Sequence, residues 1–305
     1  MIFMGTPDYA VPTLRVLAES GLPLVVVTQP DRPAGRGRTL RPSPVRVAAE
    51  AMKIPVLTPT RLGPKTFHTL QGLFARLIIT AAYGGILPAR YLALPVVGAY
   101  NLHASLLPRW RGPNPIAWAI RAGDMETGVT LMAMDQGVDT GPVVDRRVVA
   151  ITPSDTTGSL TERLGAEAAV LVADWLPRLL QGPVPMSPQG AGATVAPKFT
   201  AEDARILWTE AASAVSGQVR SLLPSPGPWT TALGERIVIV EAAIARESPG
   251  DRRLLAGEIE GRGEAWRIGC GTGSLMVRGI KPAGRRAMTP GAYERGLRTA
   301  LRQVQ

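Results

Sequence analysis

The chain of 305 residues contains two histidines, His68 and His103, so imidazole chemistry has only two possible seats. His103 closes the run Tyr100-Asn101-Leu102-His103. If that run is a β-strand, side chains alternate between its faces, and Asn101 and His103 point the same way. An amide and an imidazole on one wall suit acyl transfer: the amide steadies a developing oxyanion and the imidazole moves a proton. The alternative is a structural histidine bonded to backbone. His68 has no comparable neighbours and reads as a surface residue.

A carboxylate to complete such a site is available in Met134-Asp135-Gln136-Gly137-Val138-Asp139-Thr140-Gly141, where an apolar run ends in an acidic turn bracketed by glycines. Glycine permits tight turning and close approach of a ligand. An aspartate here could orient His103 and favour its charged form. Short Asp-Gly segments also form ordinary Asx turns, and spacing alone leaves both Asp135 and Asp139 open.

The elements that must carry these residues are legible as alternating runs. Apolar stretches at 2–4, 24–28, 77–83, 99–103 and 128–134 read as buried strands. Helix-compatible stretches at 9–20, 44–52 and 113–122 separate them. The alternation predicts an α/β fold with a doubly wound, mostly parallel sheet, in which ligands sit beyond the strand C-termini. From 156 to 180, Leu160, Leu164, Ala168, Leu171, Trp175 and Leu179 recur at helical spacing and predict an amphipathic helix closing the first domain.

Gly and Pro then crowd residues 181–192. We read domains at 1–182 and 203–305 with a linker over 183–202. Beyond the linker, 201–218 reads as a helix. The short runs 236–240, 265–268 and 274–277 then predict a smaller β-barrel.

Composition narrows the partners. Apolar residues at 45% and charged residues at 19% describe a folding chain, not a disordered one. Thirty-four Lys and Arg against 24 Asp and Glu leave a net +10, which favours a polyanion. The excess is local. Arg32, Arg36, Arg38, Arg41 and Arg46 stand against Asp31 in one stretch that also holds Gly35 and Gly37, and Arg278, Lys281, Arg285, Arg286, Arg295, Arg298 and Arg302 stand against Glu294 in another. Arginine suits bidentate contact with phosphates. Cys270 is the single cysteine, so neither a disulfide within the chain nor a cysteine metal cluster can form, in keeping with a reducing cytoplasm. No leader segment or membrane-length apolar run is read, and no His-Glu-x-x-His or paired Cys-x-x-Cys pattern, so neither a membrane nor a metal is expected.

Asn101-Leu102-His103, Ser105-Leu106-Leu107-Pro108 and Gly137-Val138-Asp139-Thr140-Gly141, in that order, resemble the folate-dependent formyltransferase superfamily. The resemblance implies a Rossmann-like catalytic domain with an OB-like C-terminal domain. It also implies a catalytic triad of Asn101, His103 and Asp139, which selects Asp139 over Asp135. Ser105, Leu106, Leu107 and Pro108, with Gly137 and Val138, become the folate-contacting residues, and 10-formyltetrahydrofolate the co-substrate.

Within the superfamily, Gly5-Thr6-Pro7-Asp8-Tyr9-Ala10, the stretch 28–38, Pro108-Arg109-Trp110-Arg111-Gly112 and Lys281 to Met288 are similar to the methionyl-tRNA formyltransferases. That similarity implies initiator methionyl-tRNA as partner. Arg32, Arg36, Arg38 and Arg41 would then reach the acceptor end, with Lys198 near the acceptor stem and Lys281, Arg285 and Arg286 as further contacts. A monomer is expected. Ala104 in place of glycine, Pro113-Asn114 and Pro142-Val143-Val144 depart from the family pattern without touching the triad. A formyltransferase acting on a sugar nucleotide or purine precursor would share the triad but not the two basic clusters. An RNA-binding module on a degenerate enzyme fold would not retain the triad.

Overall fold

The computed structural model describes residues 1–34, 39–248, 250–297 and 301–304. These form two compact units, one of residues 1–115, 126–150 and 161–197, the other of 116–125, 151–160 and 198–305. In chain order the strands of the first unit are β1 (Ile2–Gly5), β2 (Val25–Val27), β3 (Arg32–Ala34), β4 (Thr39–Arg41), β5 (Val56–Leu57), β6 (Leu77–Ala81), β7 (Gly98–His103), β8 (Glu126–Ala133) and β9 (Val143–Ala150). The helices along the same stretch are α1 (Val11–Glu19), α2 (Pro44–Ala51), α3 (Pro64–Gln71), α4 (Ala89–Leu92), α5 (Pro115–Ala122) and α6 (Thr157–Gln181).

Seven of these strands form one sheet in the order β5-β2-β1-β6-β7-β8-β9. Pairings from β5 through β7 are parallel, whereas β7–β8 and β8–β9 are antiparallel. The doubly wound, mostly parallel expectation therefore holds, with an antiparallel pair added at one edge. β1 and β6 are buried along their whole length, which explains why they read as continuous apolar runs and not as alternation. Along α6 the stripe Leu160, Leu164, Ala168, Leu171 and Leu179 is buried, and Trp175 lies half-buried with its indole Nε1 donating to Asp145 at 2.8 Å.

The second unit carries α7 (Ala212–Ser221), β10 (Trp229–Ala232), β11 (Glu235–Ile244), β12 (Ile259–Arg262), β13 (Ala265–Gly269), β14 (Ser274–Pro282) and α8 (Pro290–Glu294). Its strands pair antiparallel in the order β10-β11-β14-β13-β12 around a core that includes Trp208, Val215, Ile239, Trp266 and Val277. Among the described residues no pairing joins β10 to β12, so the expected barrel is an open half-barrel.

Two local expectations fail. The helix read over 201–218 begins only at Ala212. Before it, a short 3-10 helix spans Glu202–Ala204 and Arg205 is extended and bridges Trp229, while the buried Ile206 and Trp208 flank an exposed Leu207 outside any helix. The stretch read as a linker is also structured through residue 197. Ser187 and Val143 exchange two backbone hydrogen bonds, and Val195 bridges Arg111, so 183–197 belongs to the first unit.

Truncating Leu164, which is fully buried in α6, to alanine should cost about 2–5 kcal/mol, measured as a lowered urea midpoint. Val170→Ala on the exposed side of the helix should change it by less than about 0.5 kcal/mol.

Candidate active site

β7 is the strand at which the sheet changes from parallel to antiparallel pairing. Its alternation puts Asn101 and His103 on one face, and the turn after β8 brings Asp139 to them. The Asp139 Oδ1 accepts from Asn101 Nδ2 at 3.3 Å and lies 3.5 Å from His103 Nδ1. Its Oδ2 accepts from the Gly112 amide at 2.9 Å. Asp135, the other candidate, is spent inside its own turn, where its Oδ1 accepts from the Gly137 amide and the Thr140 hydroxyl. The turn is built on close approach: a Cβ on Gly141 would stand 1.9 Å from the Ala133 carbonyl oxygen, and one on Gly137 would stand 1.9 Å from Thr140 Oγ1. The glycine bracket is a steric requirement.

The surroundings of each group set what it can do. His103 is 6% exposed, and its Nε2 lies 2.9 Å from the Trp110 carbonyl oxygen. Both ring nitrogens thus face acceptors. A neutral imidazole has one N–H and satisfies one of them; the imidazolium satisfies both. Asn101 has its amide oriented from behind, because Thr80 Oγ1 donates to Asn101 Oδ1 at 2.7 Å and leaves the Nδ2 end toward the carboxylate. Thr80 lies at the C-terminal end of β6, in register with Asn101, and was not singled out from sequence.

Asn101 and Asp139 open onto a cleft of about 100 Å³ that is also lined by Gly85, Ile86, Leu87, Met132, Met134, Asp135, Gly137 and Val138. Small-molecule sites usually enclose about 300 Å³ or more, so a larger ligand would rest partly outside it. Ile86 and Val138 are exposed at its mouth. Of the residues expected to contact folate, Gly137 and Val138 line this cleft and the run Ser105 to Pro108 does not. Ser105 and Leu107 are buried. The Ser105 hydroxyl donates to the Arg109 carbonyl oxygen at 2.7 Å. Thr130, opposite His103 in the sheet, donates from Oγ1 to the Ser105 carbonyl oxygen and accepts from the Leu107 amide. Arg146 Nε and Nη2 both donate to the Leu107 carbonyl oxygen. Sequence reading missed Gly85, Ile86 and Leu87, although Tyr83-Gly84-Gly85 at the end of a parallel strand is where ligand loops occur.

The basic residues divide. Arg32 and Arg41 are cross-strand partners in the β3–β4 hairpin, a like-charge pairing that repels in the absence of an anion. Arg36 and Arg38 lie outside the described residues, as does Arg298. Arg46 is engaged by Asp31 at 2.9 Å and Glu50 at 2.8 Å. In the second unit Lys198, Arg278, Lys281, Arg285, Arg286 and Arg302 are exposed, with the Arg285 guanidinium 5.9 Å from the Tyr293 ring, while Arg295 pairs with Glu264. Cys270 is buried, and burial pushes its thiol up to about 11. Among the described residues no group of three His, Cys, Asp or Glu is placed to hold a metal, and no helix is long and apolar enough to cross a membrane.

Residues 1–174 match the formyl transferase family model, and 198–298 match its C-terminal domain. A methionyl-tRNA formyltransferase of Paracoccus denitrificans is 43% identical over 97% of this chain and 97% of its own length. That of Acidothermus cellulolyticus is 42% identical over 98% of each chain. Among solved structures, the N-formyltransferase of Helicobacter canadensis in complex with folinic acid and dTDP-3-aminofucose superposes with a TM-score of 0.67 at 17% identity, covering 90% of this chain and 97% of that one. HypX of Aquifex aeolicus gives 0.65 at 18% identity over 98% of this chain, which spans 48% of HypX. At these identities the structural likeness concerns the fold.

Thr80→Val keeps the side-chain shape and removes the donor to Asn101, leaving that carbonyl oxygen short of a partner. The expected cost is about 1–2 kcal/mol in urea unfolding, and an unchanged midpoint would show that the hydroxyl does not hold the amide.

Proposed function

The chain belongs to the methionyl-tRNA formyltransferase family, and from that premise we propose that Asn101, His103 and Asp139 carry its reaction in the cleft beside β7. The reaction moves the formyl group of 10-formyltetrahydrofolate to the α-amino group of methionyl initiator tRNA. The observation that supports this assignment most directly is the convergence of one carboxylate on an amide and an imidazole at the end of a single strand.

The cleft fits a flat, polar-edged ring system. Ile86, Leu87, Met132 and Met134 offer apolar contact. The Asn101 amide offers a donor, and the carboxylates of Asp139 and Asp135, the latter through the oxygen its own turn leaves over, offer acceptors. The methionyl amine attacks the formyl carbon held on the folate nitrogen. The tetrahedral adduct collapses as the carbon–nitrogen bond to folate breaks, the folate nitrogen taking a proton as it leaves and the new amide nitrogen giving one up to water. Asn101 Nδ2 and the His103 imidazolium donate to the negative charge that develops on the formyl oxygen. Asp139 holds the ring in place from Nδ1. To deliver a proton from Nε2, His103 must exchange the Trp110 carbonyl for the reacting group or an intervening water.

We assign catalysis to residues 1–182 and a tRNA-binding role to residues 203–305. Arg32, Arg36, Arg38 and Arg41, with Lys198, Lys281, Arg285 and Arg286, are the proposed phosphate contacts. The enzyme acts as a cytoplasmic monomer in this reading. The deciding assay offers 10-formyltetrahydrofolate with charged initiator tRNA, and in parallel an amino-sugar nucleotide or glycinamide ribonucleotide. Formylation of only a small acceptor would overturn the reading.

His103→Ala and Asp139→Ala should each lower kcat by about 10²–10⁴-fold while folate and tRNA still bind in equilibrium titrations. Affinity for tRNA should fall by about 10³-fold between 50 and 200 mM salt if six or more phosphates are neutralised, and a flat salt dependence would count against the basic contacts.

A further inference from the structure

Resting on that reading of the site, we infer that Gln189 is a positioning residue for the reaction, its one carboxamide setting the two loops that hold His103 and Asp139 against each other. Gln189 Oε1 accepts from Arg111 Nε at 3.0 Å and from Arg111 Nη2 at 2.7 Å. Its Nε2 donates to the carbonyl oxygens of Asp139 and Gly141, both at 2.8 Å. A carboxamide has two acceptor sites and two N–H donors, and all four are used here. No other side chain of this length offers that combination.

The partners are the ones the chemistry needs held. Arg111 lies between Trp110, whose carbonyl meets His103, and Gly112, whose amide meets Asp139. On the other side Gln189 grips the backbone of Asp139 itself. Both residues that present groups to the imidazole stand in the left-handed region, Trp110 at φ 65° and Asp139 at φ 54°. Non-glycine residues occupy it at a cost and stay there when their surroundings hold them. The same segment adds Thr194, whose hydroxyl accepts from the Trp110 amide and whose carbonyl accepts from the Arg111 amide. Gln189 bonds both loops at once, Arg111 on one and the backbone of Asp139 and Gly141 on the other.

Gln189→Leu removes every contact. Gln189→Glu keeps the acceptor for Arg111 and sets a carboxylate against two carbonyls. Each variant should lower kcat by about 10²-fold, the cost of a misplacement on the order of an ångström, with KM for folate and tRNA little changed; the lost hydrogen bonds lower the thermal midpoint, so the rates are read well below it. Because Gln189 acts through Asp139, adding Gln189→Leu to Asp139→Ala should change the residual single-turnover rate by less than about threefold. The ring ¹⁵N resonances of His103 should move in Gln189→Leu, while those of His68, the only other histidine, stay in place.

Equal losses in both backgrounds, an unmoved His103 signal, or full activity in both Gln189 variants would overturn the inference. Full activity in Asp139→Ala would instead overturn the assignment of the site on which it rests.

Discussion

A carboxylate that is mostly withdrawn from water has to be given donors, and much of the local structure follows from that demand. The side chain of Asp139 is 16% exposed, and its oxygens face an amide from a strand, a backbone N–H from a loop and a ring nitrogen. Those groups come from two segments, β7 and the loop around Trp110, and supplying both to one carboxylate forces them against the turn that carries it. The β7 strand, the loop around Trp110 and the turn after β8 meet at one point because none of them alone can satisfy the charge. The cleft beside them is the space left over.

That arrangement explains why the sheet changes character where it does. A parallel strand ends at the edge where ligands approach, and β7 delivers Asn101 and His103 there. An antiparallel neighbour then returns along it, so that Thr130 on β8 stands beside His103 and secures the loop that follows β7. A further parallel strand would need a crossover at this point. The nine-residue connection from β8 to β9 instead carries the acidic turn, whose Asp139 reaches back to Asn101 and His103.

Periodicity made the main strands, the long helix and the shared face of Asn101 and His103 legible from sequence, because burial imposes those patterns directly. Between Asp135 and Asp139 spacing was silent, since the difference lies in which carboxylate its own turn consumes, and that depends on where Thr140 falls in three dimensions. Thr80 escaped notice because a buried hydroxyl in an apolar run leaves no period. The segment 183–197 was misread for the opposite reason: its Gly and Pro content resembles a spacer, while its backbone is committed to partners more than 40 residues earlier in the chain, Val143 and Arg111 among them. The run Ser105 to Pro108 carries a recognisable signature, yet Ser105 and Leu107 are buried there, and the cleft wall is made by other residues.

The contact between residues 187–196 and the loops near 110 and 140 also has a temporal side. A chain made from its N-terminus has all nine strands of the first unit by residue 150, and so could pair its sheet early. It nevertheless lacks the segment that clasps those loops until nearly fifty further residues have followed. Synthesis order therefore separates acquiring the sheet from acquiring the strap: any product ending before that segment would possess every strand while its reactive groups were still without their final restraint.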